Sequence, residues 1–329
     1  MPHILVTLPV EDRHRTLIEA GMPDGDFHYI YRDFVTPADV EAADIILGNV
    51  PPKMLAGVTK LQWLQLNSAG PDAYLHCMPE GVILTNSTGA YGLAISEHLL
   101  AMLLMLQKKL HLYYLDQKNH DWTDEGKVTS IEGSHALVVG LGNIGGDFGR
   151  KLHALGATVC GITRSGERPV GSEDWLAEIH TMDALDELLP RCEIVALALP
   201  GGPATTRLFD ARRLSLMKKG SFLLNVGRGT VIDTEALCDA LESGHLGGAG
   251  VDVTDPEPLP PDHRLWDMPN AIVTPHVSGF YHLPETFERV VRIAAANLAR
   301  YAKGEPLQNV IDFATGYRKL ESAAERLKK

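Results

Sequence analysis

A short apolar run, HALVVG at 135–140, leads into Gly140-Leu141-Gly142-Asn143-Ile144-Gly145, and an amphipathic segment, DFGRKLHAL, follows Gly146. Strand, glycine-rich turn and helix in this order constrain the fold more than anything else in the chain. Gly140 would allow the tight turn, Gly142 would let the backbone approach a pyrophosphate, and Gly145 would let helix and strand pack closely. The helix N-terminus then offers unpaired N–H groups and a partial positive charge to phosphate. A glycine-rich structural turn is the competing reading, and the strand before and helix after favour a dinucleotide site. Asp147, in the first turns of that helix, would repel a pyrophosphate if it faced one.

Around this unit, apolar runs alternate with amphipathic stretches. HILVT (3–7), DIILG (44–48), LQWLQL (61–66) and GVILT (81–85) are predicted strands, with helix-like segments at 11–20 and 51–56. After 135–140 come ATVCGI (157–162), EIVALAL (193–199), SFLLNV (221–226), GAGVDV (248–253) and NAIVT (270–274), with helices over 144–155, 183–190, 233–243 and 284–303. Such alternation predicts an α/β protein with doubly wound parallel sheets, and 329 residues suffice for two domains. One long helix is predicted from Leu93 to Lys118. It carries Leu99, Leu100, Leu103, Leu104 and Leu106 and is too apolar for a surface linker, which places it between domains or subunits. The stretch DPEPLPPDH (255–263) can be neither helix nor central strand and is expected as an ordered loop. The tail from Gly304 to Lys329 ends in a charged, helix-like segment.

Thirty Lys and Arg against 42 Asp and Glu leave a net charge of −12, which argues against a nucleic-acid partner. An anionic substrate would have to be drawn in by local arginines. The four cysteines, Cys77, Cys160, Cys192 and Cys238, lie far apart without ligand spacing, so free thiols and no metal site are expected. No leader-like start is read in MPHILVTLPVEDRHR, and the apolar run Leu99 to Leu106 is too short for a bilayer, which needs about 20 residues. A soluble, cytoplasmic protein is expected.

Two further readings bear on chemistry. The acid expected about 20 residues beyond the glycines, to bind an adenosine ribose, is missing. Thr163, Arg164 and Ser165 stand there instead, a set suited to a 2′-phosphate and hence to NADP over NAD, although NAD use stays open. At three later strand ends stand Arg228, Glu257 and His276, where an open parallel sheet gathers its ligand residues. Arg228 can hold a carboxylate bidentately, His276 can exchange a proton at a carbonyl or hydroxyl oxygen, and Glu257 can orient the imidazole and favour its charged form. Spacing alone does not choose Glu257 over Asp255 or Asp252.

The segments NSTGAYGLAISEH (86–98), VVGLGNIGG (138–146), LLNVGRGTVIDTEAL (223–237), GAGVDVTDPEPLP (248–260), LWDMPNAIVTPHVSG (265–279) and NLARYAKGEPLQNVID (297–312) keep one order over most of the chain. Through them the sequence resembles the D-isomer-specific 2-hydroxyacid dehydrogenases, the group of D-lactate, phosphoglycerate and glyoxylate/hydroxypyruvate reductases. The resemblance implies that Arg228, Glu257 and His276 are catalytic and that Asp252 lies near the nicotinamide carboxamide. Pro200, Val226, Gly227 and Ser278 complete the cofactor set. Asn67-Ser68-Ala69-Gly70 resembles the loop that helps bind the substrate carboxylate, so Ser68, Ala69 and Gly70 join Arg228 as substrate residues. It further implies a flavodoxin-like substrate domain, 1–98 plus 284–329, with an inserted Rossmann cofactor domain, 99–283, and a homodimer. The long helix would then lie at the hinge and dimer interface.

The chain departs from the family at the ribose acid, at Gly146 where many relatives carry a basic residue, and at Phe280-Tyr281-His282, which would reshape a pocket rim. The expected activity is NADPH-preferring reduction of a small 2-oxo acid to a D-2-hydroxy acid. A formate dehydrogenase-like enzyme and a dinucleotide-sensing corepressor are the alternatives.

Overall fold

The computed structural model describes residues 1–319, so residues 320–329 of the expected charged tail lie outside the described residues. The chain divides into two compact units, residues 1–91 with 281–329, and residues 92–280.

The first unit holds a five-stranded parallel sheet of β1 (His3–Val6), β2 (Asp26–Tyr29), β3 (Ile45–Leu47), β4 (Trp63–Gln65) and β5 (Ile83–Thr85), in the order β2-β1-β3-β4-β5. This is the flavodoxin-like order. Leu5, Ile46, Leu64 and Leu84 carry its core. β1, β3 and β4 are nearly continuous apolar runs because parallel strands are buried on both faces. β2, at the sheet edge, alternates exposed and half-buried residues, and its DFHY sequence shows no apolar run to predict it. Helices α1 (Asp12–Gly21) and α2 (Pro37–Ala42) belong here; Thr36 caps α2 in a reciprocal box with Asp39. The segment at 51–56, expected as helix, is a 3-10 turn over Pro52–Leu55.

The second unit begins with α3 (Gly92–Gln107) and α4 (Leu110–Asn119). The single helix predicted from Leu93 to Lys118 is therefore two. Lys109 takes a left-handed conformation, φ 56°, and the His111 imidazole meets the Met105 carbonyl at 3.1 Å, taking over an acceptor that a continuous helix would give to Lys109. α3 lies whole within this unit, which runs from residue 92 to residue 280.

A seven-stranded parallel sheet follows: β6 (His135–Val139), β7 (Thr158–Ile162), β8 (Leu176–His180), β9 (Ile194–Leu197), β10 (Phe222–Asn225), β11 (Gly248–Val251) and β12 (Ala271–Val273). Its order, β12-β11-β10-β9-β6-β7-β8, is the dinucleotide-fold order with one added strand. α5 (Asn143–Ala154) connects β6 to β7, and α6 (Leu185–Leu188), α7 (Ala211–Leu216) and α8 (Thr234–Glu242) complete the unit. The helix predicted over 183–190 is reduced to α6 between two 3-10 turns, with Pro190 in the second. α3 approaches β11 closely because its strand is GAGV: a Cβ on Gly250 would stand 3.0 Å from that of Met102. α9 (Pro284–Ala302) returns to the first unit and packs along α1, where Asn297 reaches Gln65 at 2.8 Å. A two-residue hairpin pairs Ile311–Asp312 with Tyr317–Arg318.

Among the described residues no helix is long and apolar enough to cross a membrane. Cys160, Cys192 and Cys238 are buried free thiols and Cys77 is half-buried. Burial pushes the Cys192 thiol up to about 12, far from reactive thiolate.

Candidate functional site

The glycine turn after β6 fits a dinucleotide. Gly140 sits at φ +99°, which L side chains rarely adopt, and a Cβ there would lie 2.6 Å from the Ala198 carbonyl oxygen. A Cβ on Gly145 would clash with the Gly140 carbonyl, whereas one on Gly142 would meet nothing within 4 Å. The two positions thus differ in kind: Gly145 is needed for packing, and Gly142 borders open space in front of the N-terminus of α5. Gly142 is the N-cap of α5 and supplies no side-chain cap, so phosphate oxygens can take that role. Asn143 turns its side chain elsewhere, its Oδ1 accepting from the Gly92 N–H at 2.9 Å. Ile144 follows Asn143 in the first turn of α5. Asp147 pairs with Arg150, and its carboxylate stands against Gly92, where a Cβ would clash with it.

Beyond β7, Thr163, Arg164 and Ser165 form a turn in which the hydroxyls of Thr163 and Ser165 accept from the N–H groups of Gly166 at 3.0 Å and Glu167 at 3.2 Å. Arg164 is exposed. At the end of β9, the Pro200 carbonyl accepts from Thr205 at 3.0 Å. After β10, Val226 is buried and Gly227 presses on Leu199, where a Cβ would clash.

Three loops of this same unit carry the candidate acid–base set. Arg228 follows β10, its carbonyl held by Asn225 Nδ2 at 3.0 Å and its guanidinium donating to the Gly227 carbonyl at 2.7 Å. Gly229 lets this loop lie directly on the next, since a Cβ there would clash with the Thr254 carbonyl. That next loop, beyond β11, carries Glu257, whose Oε1 stands 2.7 Å from His276 Nδ1. Both side chains are about half exposed, 47% for His276 and 43% for Glu257, so the pair can reach a ligand. The backbone carbonyl of Asp255, in the same loop, accepts from Thr234 Oγ1 at 2.7 Å.

His276 itself has a left-handed backbone, φ 52°, uncommon outside glycine and costly without support. Asp252 provides that support. Its backbone carbonyl accepts from the His276 N–H at 2.8 Å. Its side chain, 1% exposed, accepts from Thr274 Oγ1 at 2.6 Å, from the N–H groups of Val277 at 3.0 Å and Ser278 at 3.1 Å, and from Ser278 Oγ at 2.5 Å. His98 Nε2 meets the Thr274 hydroxyl at 3.0 Å. Neither Thr274 nor His98 was singled out from the sequence; both lie in matched segments, but nothing in their spacing points to Asp252.

In the first unit, Ser68, Ala69 and Gly70 form the loop after β4. Asn49 and Asn67 exchange backbone-to-side-chain bonds at 2.7 and 3.0 Å, Asn86 Nδ2 donates to the Ala69 carbonyl at 2.5 Å, and Ser68 Oγ donates to the Gly70 carbonyl at 3.0 Å. Tyr91 donates to the Asn67 carbonyl, and Asn67 Nδ2 to the Tyr281 hydroxyl. The bulky residues at 280–282 thus have a local role at Tyr281, which braces the substrate-loop candidate.

The two parallel-sheet units have the fold of the dinucleotide-dependent oxidoreductases, and comparison with known proteins agrees. The profile of the D-isomer specific 2-hydroxyacid dehydrogenase NAD binding domain matches residues 100–278. The putative 2-hydroxyacid dehydrogenase of Haemophilus influenzae is 32% identical over 265 residues, 73% of this chain and 78% of the relative. The Arabidopsis thaliana formate dehydrogenase is 31% identical over 70% of this chain, which spans 60% of that protein. Among solved structures, a D-isomer specific 2-hydroxyacid dehydrogenase family protein from Aeromonas salmonicida superposes with TM-score 0.83 at 31% identity, over 95% of this chain and 99% of that one. The NADPH-dependent glyoxylate/hydroxypyruvate reductase of Sinorhizobium meliloti, solved with NADP and sulfate, gives TM-score 0.80 at 26% identity, over 96% of this chain and all of the other. The chain belongs to the D-isomer specific 2-hydroxyacid dehydrogenase family, whose members are NAD(P)-dependent oxidoreductases.

Proposed function

We propose that the protein reduces a small 2-oxo acid to the D-2-hydroxy acid with NADPH preferred over NADH, acting as a homodimer. The observation that carries this reading is the 2.7 Å contact between His276 and Glu257, whose own loop packs against that of Arg228. Reduced nicotinamide, when bound, supplies the hydride. With Nδ1 facing the carboxylate, His276 Nε2 is the atom that delivers a proton to the carbonyl oxygen, and Glu257 fixes the orientation of the ring. Arg228 holds the substrate carboxylate; for Ser68, Ala69 and Gly70 a carboxylate-binding role rests on the family resemblance of their loop. Gly140, Gly142 and Gly145 receive the pyrophosphate, with Asn143 and Ile144 in the first turn of α5. Pro200, Val226 and Gly227 border the cofactor, and Asp252 with Ser278 holds the His276 loop beside it.

The NADPH preference rests on Thr163-Arg164-Ser165, where hydroxyls and a guanidinium replace the ribose-binding acid, and the NADP-bound Sinorhizobium meliloti reductase lends it support. The dimer reading rests on α4 and the segment after it, where Leu110, Tyr114 and Leu115 are more than half exposed and Trp122 is fully exposed.

The identity with formate dehydrogenases supports a second reading, oxidation of formate. The test is initial rates with NADPH and NADH against glyoxylate, hydroxypyruvate, pyruvate and longer 2-oxo acids, alongside formate with NAD and NADP. Turnover of a 2-oxo acid faster with NADPH supports the proposal. Turnover of formate alone replaces it, and nucleotide binding without turnover of either favours a sensing role.

A further inference from the structure

At one edge of the first unit's sheet, β1 and β2 run parallel with His3 directly opposite Asp26 and Leu5 opposite His28. Side chains two apart on a strand share a face, so His28 lies on the same side as Asp26, and Asp26 faces His3 across the pair. The side-chain atoms converge. Asp26 Oδ2 is 3.2 Å from His3 Nδ1 and 3.1 Å from His28 Nε2, and the two imidazoles stack with centroids 4.0 Å apart. One atom from each of the three residues lies within 4.8 Å of the others, and among the described residues this is the one group of three His, Cys, Asp or Glu so placed. His3 is mostly covered, with 22% of its side chain exposed, while Asp26 and His28 are about half exposed, so the cluster is fixed at one side and open at the other.

We propose that His3, Asp26 and His28 form a binding site for a divalent transition-metal ion of the zinc class. Two imidazoles and a carboxylate are the nitrogen and oxygen donors that such ions take. Bonds of about 2.0–2.2 Å at right-angle to tetrahedral geometry put ligand atoms about 3.0–3.5 Å apart, and both measured separations fall in that interval. Nearby, Asp44 accepts from the His3 N–H at 2.7 Å and pairs with Lys60 at 3.5 Å. Three protein ligands leave open positions for water. The ion would clip the edge strand β2 to β1, and this role is independent of the reductase reading.

The experiment is calorimetric titration of the metal-stripped full chain with zinc chloride, with melting curves recorded with and without zinc. The expected result is uptake of one ion and a raised Tm. Asp26→Asn and His28→Gln should each weaken uptake at least about tenfold and abolish the zinc-dependent rise, with melting in chelator and reductase activity near wild type. Cobalt(II) in place of zinc should show visible absorption that His28→Gln loses. If Asp26→Asn does not fold, His28→Gln alone decides. No uptake at micromolar zinc, or uptake unchanged in the variants, overturns the site and leaves a hydrogen-bonded cluster.

Discussion

Glu257 Oε1 lies 2.7 Å from His276 Nδ1, nineteen positions on, with the rest of a proline-rich loop, a 3-10 turn and β12 between them. Asp255, two residues away and chemically equivalent, does not take this place. Replacing His276 by Ala should therefore lower kcat for reduction by about a hundred- to ten-thousandfold, the range for loss of a general acid. Glu257→Gln should lower it less, and Asp255→Asn should leave it near wild type. Steady-state kinetics with a saturating 2-oxo acid measure all three. A larger loss in Asp255→Asn than in Glu257→Gln would reassign the partner.

Arg228→Lys keeps the charge but loses the planar fork that holds a carboxylate by two hydrogen bonds. We expect kcat/KM for the 2-oxo acid to fall roughly ten- to hundredfold, the worth of a hydrogen bond to a charged group. The dissociation constant for NADPH, read by fluorescence, should stay unchanged.

Arg164→Ala should raise KM for NADPH while leaving KM for NADH nearly untouched, because only the former carries a phosphate for the guanidinium to pair with. Equal changes for both nucleotides would remove Arg164 from discrimination.

Gly142→Ala and Gly145→Ala separate binding from packing. A methyl at Gly142 meets nothing within 4 Å, so Tm should hold while nucleotide affinity falls. A methyl at Gly145 clashes with the Gly140 carbonyl and should cost about 1–3 kcal/mol of stability, visible as a lower Tm without nucleotide.

The hydrogen bonds of Arg213 and then Arg212 hold the Asp186 carboxyl below its usual value of 3.8. A depressed folded value means the stabilisation is present above the unfolded value and lost as pH falls through the folded one. Asp186→Asn should thus lower Tm at pH 7, by an amount corresponding to about 1 kcal/mol or less for this partly exposed cluster. The gap from wild type should close as melting is repeated at progressively lower pH below that usual value.

The parallel strands, the glycine turn and most helices were legible because their signals are local. A strand buried on both faces must be apolar along its length, as in HALVV, and a turn that approaches phosphate must be glycine. The edge strands β2 and β8 escaped notice because one face of each is not buried, so DFHY and LAEIH show no continuous apolar run. The break at Lys109 escaped because His111 satisfies the Met105 carbonyl through a side chain, which periodicity does not register.

Residue types alone determined that an arginine, several carboxylates and a histidine stand at strand ends, and the family resemblance named Glu257 among them. Only the tertiary structure decided which carboxylate touches His276. It also decided that Asp252 spends its oxygens on Thr274, Val277 and Ser278, holding the loop on which His276 keeps a left-handed backbone. The same holds for His3, Asp26 and His28. Their spacing along the chain has no meaning by itself, and the register of two parallel strands, set by the burial of their apolar neighbours, is what brings three ligand atoms together.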